Sequence, residues 1–226
     1  MNLQPAFQMT RPDDMAAFIA ARRFATLVVS GPEGPIAAHI PMLARRDAEG
    51  RVCELEGHVA RNNPVAAIAG AGVPALAVFN GADAYVSPAH YASKREHGRV
   101  VPTWNYIAVE AAGRLETFSD AQALRRQVAA LTEIMERTAP APWSVSDAPE
   151  AYVAQMLNGI TGVRLTVDSL QGIQKLSQNR AEADRLGVQQ ALARSSDPAA
   201  RAIADQMTSS QTRTTQTPTT TEPPAR

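Results

Sequence analysis

The rhythm of apolar and polar positions changes period several times along the chain, and each change marks an element. Pro12–Arg23 carries Met15, Phe18 and Ile19 on one helical face, with Pro12, Asp13 and Asp14 suited to a first turn and Thr10 placed to cap it. Phe24–Ser30 is β-branched and apolar and predicts a strand; Gly31–Pro35 predicts a turn, and Ile36–Ala44 the returning strand of a hairpin. Arg51–Val59 alternates as a further strand, and Val65–Ala69 follows Pro64 as a short helix. Pro74–Asn80 reads as a buried strand, Gly81–Asp83 as a turn, and Tyr85–Ser87 as extended chain stopped by Pro88. Val100–Gly113 reads as a loop entering a strand that continues or pairs through Phe118.

Helical periods dominate later. Ser119–Gln122 matches a capping box, and Leu124, Val128, Leu131 and Met135 then form a stripe suited to a core or a partner. Ala139–Pro149 is a proline-rich loop holding Trp143, Glu150–Ile160 a second helix, and Gly162–Leu170 a strictly alternating strand. Ala181–Arg194 is helical with a break near Gly187. Thr208–Arg226 is rich in threonine and proline and has no large apolar residue, so residues 195–226 are expected to be a disordered tail behind a single domain over 1–194. Strands early and helices late predict an α+β fold, a small antiparallel barrel with helices at its ends.

Composition narrows the function classes. Twenty-two basic residues balance 22 acidic ones, which argues against a broad nucleic-acid-binding face. Arg125, Arg126 and Arg137 on the capped helix are the local cluster to inspect, a solvated face being the better account of them, and no helix-turn-helix stands out. The single cysteine, Cys53, rules out an internal disulfide and a cysteine-rich zinc site, and no His/Asp/Glu set has ligand spacing. The first residues lack the basic-then-apolar pattern of a secretory signal, and no apolar run approaches the roughly 20 residues of a membrane span. A soluble, cytoplasmic protein is expected.

Three stretches carry candidate chemistry. Phe79–Tyr106 holds five of the chain's 11 aromatic residues (Phe79, Tyr85, Tyr91, Trp104, Tyr106), with His90 and His97. Such crowding suits a site, and it equally suits strand ends whose rings pack. Gly57–Pro64 ends a strand with His58, Arg61, Asn62 and Asn63 before a helix start, a turn that suits a phosphate or is simply capped by an Asn. Lys175–Arg180 packs a cation, a hydroxyl and two amides together, as a ligand turn or as a turn held by its own side chains.

Four motifs occur in family-like order and spacing: GHVARNNP at Gly57–Pro64, AYVSPAHY at Ala84–Tyr91, PTWNY at Pro102–Tyr106 and KLSQNR at Lys175–Arg180. Together they resemble the PaiB-like family, also called FMN-binding negative transcriptional regulators, from about Met1 to about Arg194. The resemblance implies a Greek-key-like split β-barrel of the pyridoxamine-phosphate-oxidase type, working as a homodimer with FMN in a cleft between subunits. It places His39 on the second strand, and His58, Ala60, Arg61 and Asn62 at the turn, around the flavin phosphate. His39 departs from the arginine often found there in oxidases, which weakens any transfer of oxidase chemistry. Lys175 and Gln178 are implied at the phosphate or the ring edge, Ser87 and Thr103 as hydrogen-bond donors, and Trp104 and Tyr106 as ring walls or dimer-seam residues. His90 and His97 fall in a loop with Lys94, Arg95 and Glu96 that suits a lid and is given no other role. The implied function is an FMN-binding regulator, with DNA entering by the family name only. A flavin-dependent oxidoreductase or flavin reductase using NAD(P)H is the alternative, although no G-x-G-x-x-G turn is present. A haem protein using His39, His58 or His90 ranks below both.

Overall fold

The computed structural model describes residues 4–69 and 72–214. Contacts divide the chain into two bodies. The first is built from Met9–Asn80 and Ala108–Gly172, the second from the described parts of Met1–Gln8, Gly81–Ile107 and Ile173–Arg226.

The first body is organised by a sheet whose strand order is β2-β1-β5-β6-β7-β4-β3. β1 (Phe24–Gly31) and β2 (Gly34–Pro41) form an antiparallel hairpin around Pro32 and Glu33, with Gly34 at φ +124, a conformation side chains resist. Ile36–Ala44, expected as one strand, is two. Pro41 ends β2, Met42 is fully buried with its N–H on Arg23 O (2.8 Å), and β3 (Leu43–Arg46) pairs instead with β4 (Val52–Ala60). β2 and β3 are therefore one residue apart in the chain and at opposite ends of the sheet order. Only a sheet curled back on itself permits this, and at the seam a Cβ on Gly57 would stand 2.8 Å from Pro41 O. The α+β split barrel follows from that corner.

The barrel interior is filled by one face of each strand: Ala25, Leu27 and Val29 from β1, Ala38 and Ile40 from β2, Leu55 and Val59 from β4. Phe79 comes from β5 (Val73–Val86), Leu115 from β6 (Thr103–Phe118) and Leu165 from β7 (Ile160–Lys175). Each fully buried large side chain contributes about 1.5–3 kcal/mol by removal from water. α1 (Pro12–Arg22) adds Met15, Ala16 and Ile19, and α2 (Pro64–Ile68) adds Val65. Arg11, not Thr10, stands at the N-cap of α1 and makes no side-chain cap bond, because Pro12 already presets the first turn. A smaller cluster joins α4 (Ala121–Glu136) to α5 (Glu150–Leu157) through Leu124, Val145, Val153 and Leu157. Here Asp120 rather than Ser119 caps α4, accepting from Ala123 N at 2.7 Å. Of the stripe expected to meet a core or a partner, Leu124 is buried while Met135 is 61% exposed; Gln127 is buried as well.

β5, β6 and β7 each run out of the first body into the second. Gly81–Asp83 is therefore strand and not the expected turn. The second body adds α3 (Ser93–His97), α6 (Glu182–Ala193) and α7 (Pro198–Thr214). The stretch around His97, expected as loop, is thus partly helical. α6 continues through Gly187 without a break; the glycine answers to packing, since a Cβ there would lie 2.3 Å from His90 O. α7 corrects the expected tail: Ala200, Ile203, Ala204 and Met207 are buried, enough apolar surface to order residues 198–214. The rest of that tail, 215–226, lies outside the described residues. No described helix is long and apolar enough to cross a membrane.

Candidate functional site

In the first body the loaded turn closes β4. His58 faces α4, and its Nδ1 lies 2.8 Å from Gln127 Oε1. An amide oxygen only accepts, so Nδ1 carries the proton. Gln127 is 3% exposed, and its Nε2 is a buried donor with no partner among the described residues. Arg61 N–H donates to Gly159 O at 2.9 Å, while no carboxylate among the described residues pairs with its guanidinium. The exposed Arg61 side chain lines a cleft of about 240 Å³ with Ser119, Gln122, Arg125, Glu150 and Asn158. Arg125 is paired with Glu150. Ala60 and Asn62 are exposed at the same turn, and Asn63 is the residue that caps α2, accepting from Val65 N at 2.9 Å. His39 is exposed on β2, with Nδ1 3.1 Å from Thr26 Oγ1.

In the second body, Lys175 Nζ donates to Thr103 Oγ1 at 2.6 Å and lies 5.9 Å from the Phe7 ring centroid. Burial, then the positive charge of Arg180, holds the Lys175 ammonium below its usual pKa. Ser177 sits at φ +63, a strained conformation for a residue with a side chain. It is held there by a reciprocal pair with buried Asn105 at 3.1 and 3.2 Å. Gln178 serves its own turn: Oε1 accepts from Leu176 N at 2.6 Å and Nε2 donates to Gln174 O. Ser87 caps a short 3-10 turn at Pro88–His90. Trp104 is 52% exposed and meets Tyr85 edge-on, centroids 5.9 Å apart. Among the described residues no group of three or more His, Cys, Asp or Glu gathers to hold a metal.

The structure thus gathers His58, Ala60, Arg61 and Asn62 at one turn of the first body, and Thr103, Lys175 and Gln178 around another in the second. Ser87 caps a separate 3-10 turn in the second body, and Trp104 stands on β6 against Tyr85. Sequence reasoning missed Gln127, and it gave Tyr91 and Arg180 no role of their own within their motifs. Gln127 was detectable as a polar residue three positions after Leu124 on a helix face otherwise apolar.

Residues 1–169 match the family model described as "Putative FMN-binding domain". The chain belongs to the PaiB-like FMN-binding family. It is 29% identical over 207 residues to "Protease synthase and sporulation protein PAI 2" of Bacillus subtilis, covering 92% of this chain and 96% of that protein. It is 34% identical over 197 residues to an uncharacterized protein of Emericella nidulans, covering 72% of this chain and 78% of the fungal one. Among solved structures, the FAD and heme binding protein of Mycobacterium smegmatis superposes with TM-score 0.53 at 19% identity, covering 74% of this chain and 73% of that one. A flavocytochrome of Azotobacter vinelandii gives TM-score 0.57 at 12% identity, covering 75% and 69%. These two likenesses speak for the fold. The KLSQNR turn lies beyond the residues that the family model matches.

The donor set fits FMN. A phosphate needs cations and N–H or O–H donors. The cleft of the first body offers the Arg61 guanidinium, the Ser119 hydroxyl and the side-chain amides of Gln122 and Asn158, and its one acid, Glu150, is paired with Arg125.

Proposed function

We propose that this PaiB-like protein acts as a homodimer holding FMN by its phosphate at the turn between β4 and α2, and that it serves transcriptional control in the cytoplasm. The observation carrying the reading is the exposed Arg61 guanidinium, paired with no carboxylate among the described residues, in a cleft it shares with the Ser119 hydroxyl. Arg61 binds the phosphate, and Asn62 and the Ala60 backbone shape the turn. His58, its proton fixed on Nδ1 by Gln127, presents Nε2 as an acceptor, suited to a hydroxyl of the ligand and not to its phosphate. His39, paired with Thr26, lends a second imidazole. In the second body Ser87 and Thr103 offer hydroxyls and Trp104 a ring face, while Gln178 fixes the turn that carries Lys175. When bound, FMN supplies one- and two-electron transfer; the chain binds and orients it. Regulation through direct DNA contact is not favoured, since Arg125 is already paired with Glu150 and the chain has no net charge.

The test is the visible spectrum of the purified protein, with any released chromophore identified, beside its mass in solution. Flavin bands from FMN and a two-chain mass are expected. A colourless protein that takes up no added FMN overturns the cofactor assignment, and a monomer overturns the shared site.

A further inference from the structure

The second body contains a polar cleft of about 150 Å³ lined chiefly by Tyr91, Thr103, Asn105, Lys175, Ser177 and Arg180. Two of these are cations and none is an acid. The acid that senses Arg180 is Asp184, and both of its oxygens are occupied by Ser93, from N at 2.8 Å and from Oγ at 2.7 Å. Tyr91 is 2% exposed and its hydroxyl makes no hydrogen bond of good geometry among the described residues; the one donor close enough to act on it is the Arg180 guanidinium. The Arg180 guanidinium stands 4.8 Å from the Tyr91 ring centroid. Lys175 gives one proton to Thr103 and has two more to give.

Two cations beside a buried hydroxyl without a well-aligned partner are costly for the empty protein. Burial makes each opposite charge worth more, so the arrangement is relieved by an anion that accepts from all three groups. The reciprocal Asn105–Ser177 pair holds the strained turn that keeps Lys175 and Arg180 on the cleft. The cleft is small and polar, a setting that suits one phosphate or carboxylate group. We propose that this cleft binds a small oxyanion, the phosphate or carboxylate of a ligand other than FMN, between Lys175, Arg180 and Tyr91. That separation rests on the assignment of the flavin phosphate to Arg61.

The test is calorimetric titration of the FMN-loaded full chain with inorganic phosphate, and in a second arm with acetate, at ionic strength fixed by chloride. One site per chain is expected, and the tighter arm identifies the group. Lys175→Gln and Arg180→Gln each weaken binding about tenfold or more, and Tyr91→Phe several-fold. Lys175→Arg retains binding, and Lys94→Gln, an exposed cation on α3 of the same body, leaves it unchanged. Bound FMN, read by its absorbance, stays constant throughout. If Lys175→Gln melts too early to titrate, Tyr91→Phe and Lys175→Arg decide. The absence of saturable heat overturns the proposal, as do equal affinities in the wild type and both charge variants. So does release of one FMN per phosphate bound, which would hand the cleft to the flavin's own phosphate. A chain that takes no FMN yet binds phosphate through Lys175 and Arg180 sinks the flavin reading and leaves this one standing.

Discussion

Asp184 ties α6 to α3 and so fixes the segment that brings Tyr91 to the polar cleft. Its oxygens accept from Ser93 N and Ser93 Oγ, and the residue is 5% exposed. Hydrogen bonds to a charged group contribute about 1.5–3 kcal/mol each. Asp184→Ala removes both, and the Ser93 hydroxyl, half-buried, recovers part of its loss by turning to water. About 3 kcal/mol of destabilisation is therefore expected. Asp184→Asn keeps the shape and loses the charge assistance, at about 1 kcal/mol. Burial alone would raise the Asp184 carboxyl; the Ser93 bonds and the Arg180 charge outweigh it and hold the pKa below the usual range. A lowered carboxyl stabilises fully above the unfolded value of about 3.9 and loses that contribution as pH falls through the folded value. In urea unfolding followed by circular dichroism, the gap between wild type and Asp184→Asn should be constant from neutral pH to about pH 5 and close below it. An Asp184→Ala cost under about 0.5 kcal/mol, a value typical of surface changes, would refute the reasoning, as would a gap that widens in acid.

Arg61→Ala should weaken FMN binding about tenfold or more in a fluorescence titration, with the melting temperature unchanged because the side chain is exposed. Gly113→Ala should prevent folding or cost more than about 3 kcal/mol, read as soluble yield and melting temperature, because the new Cβ would lie 1.8 Å from Thr166 O. Lys175→Met should raise the melting temperature by removing a half-buried cation that faces Arg180. Between the lowered folded value of Lys175 and the usual 10.4 or so, the unfolded chain binds more protons, so wild-type stability should rise with pH there and the Met variant should lack that rise.

The strands of the first body are legible in the sequence wherever one face meets the interior, as in β1 and β4, because burial on one side imposes a period of two. The through-running strands are not. Gly81-Ala82-Asp83 has turn chemistry, yet strand pairing satisfies its backbone and overrides that preference. The split of Ile36–Ala44 turns on Pro41 and on one hydrogen bond from Met42 to Arg23, a contact no local pattern encodes. α7 was hidden by its neighbours: Ile203 and Met207 stand four residues apart on one face, but the threonine-rich residues after them dominate the composition. The cationic turns at Arg61 and Lys175 are visible as motifs. Their partners are not: Gln127 lies 69 residues from His58, and Asn105 lies 72 from Ser177. Buried polar pairs of this kind are set by the meeting of distant elements and leave no periodic trace.

The chain passes between its two bodies at Gln8–Met9, Asn80–Gly81, Ile107–Ala108 and Gly172–Ile173, three of these junctions lying inside strands. Neither body is a contiguous stretch of gene. No single truncation yields either one, and a recombination breakpoint almost anywhere between residues 9 and 172 divides both. The bodies are therefore inherited together. A change of ligand preference cannot come from exchanging one body for another by a single crossover.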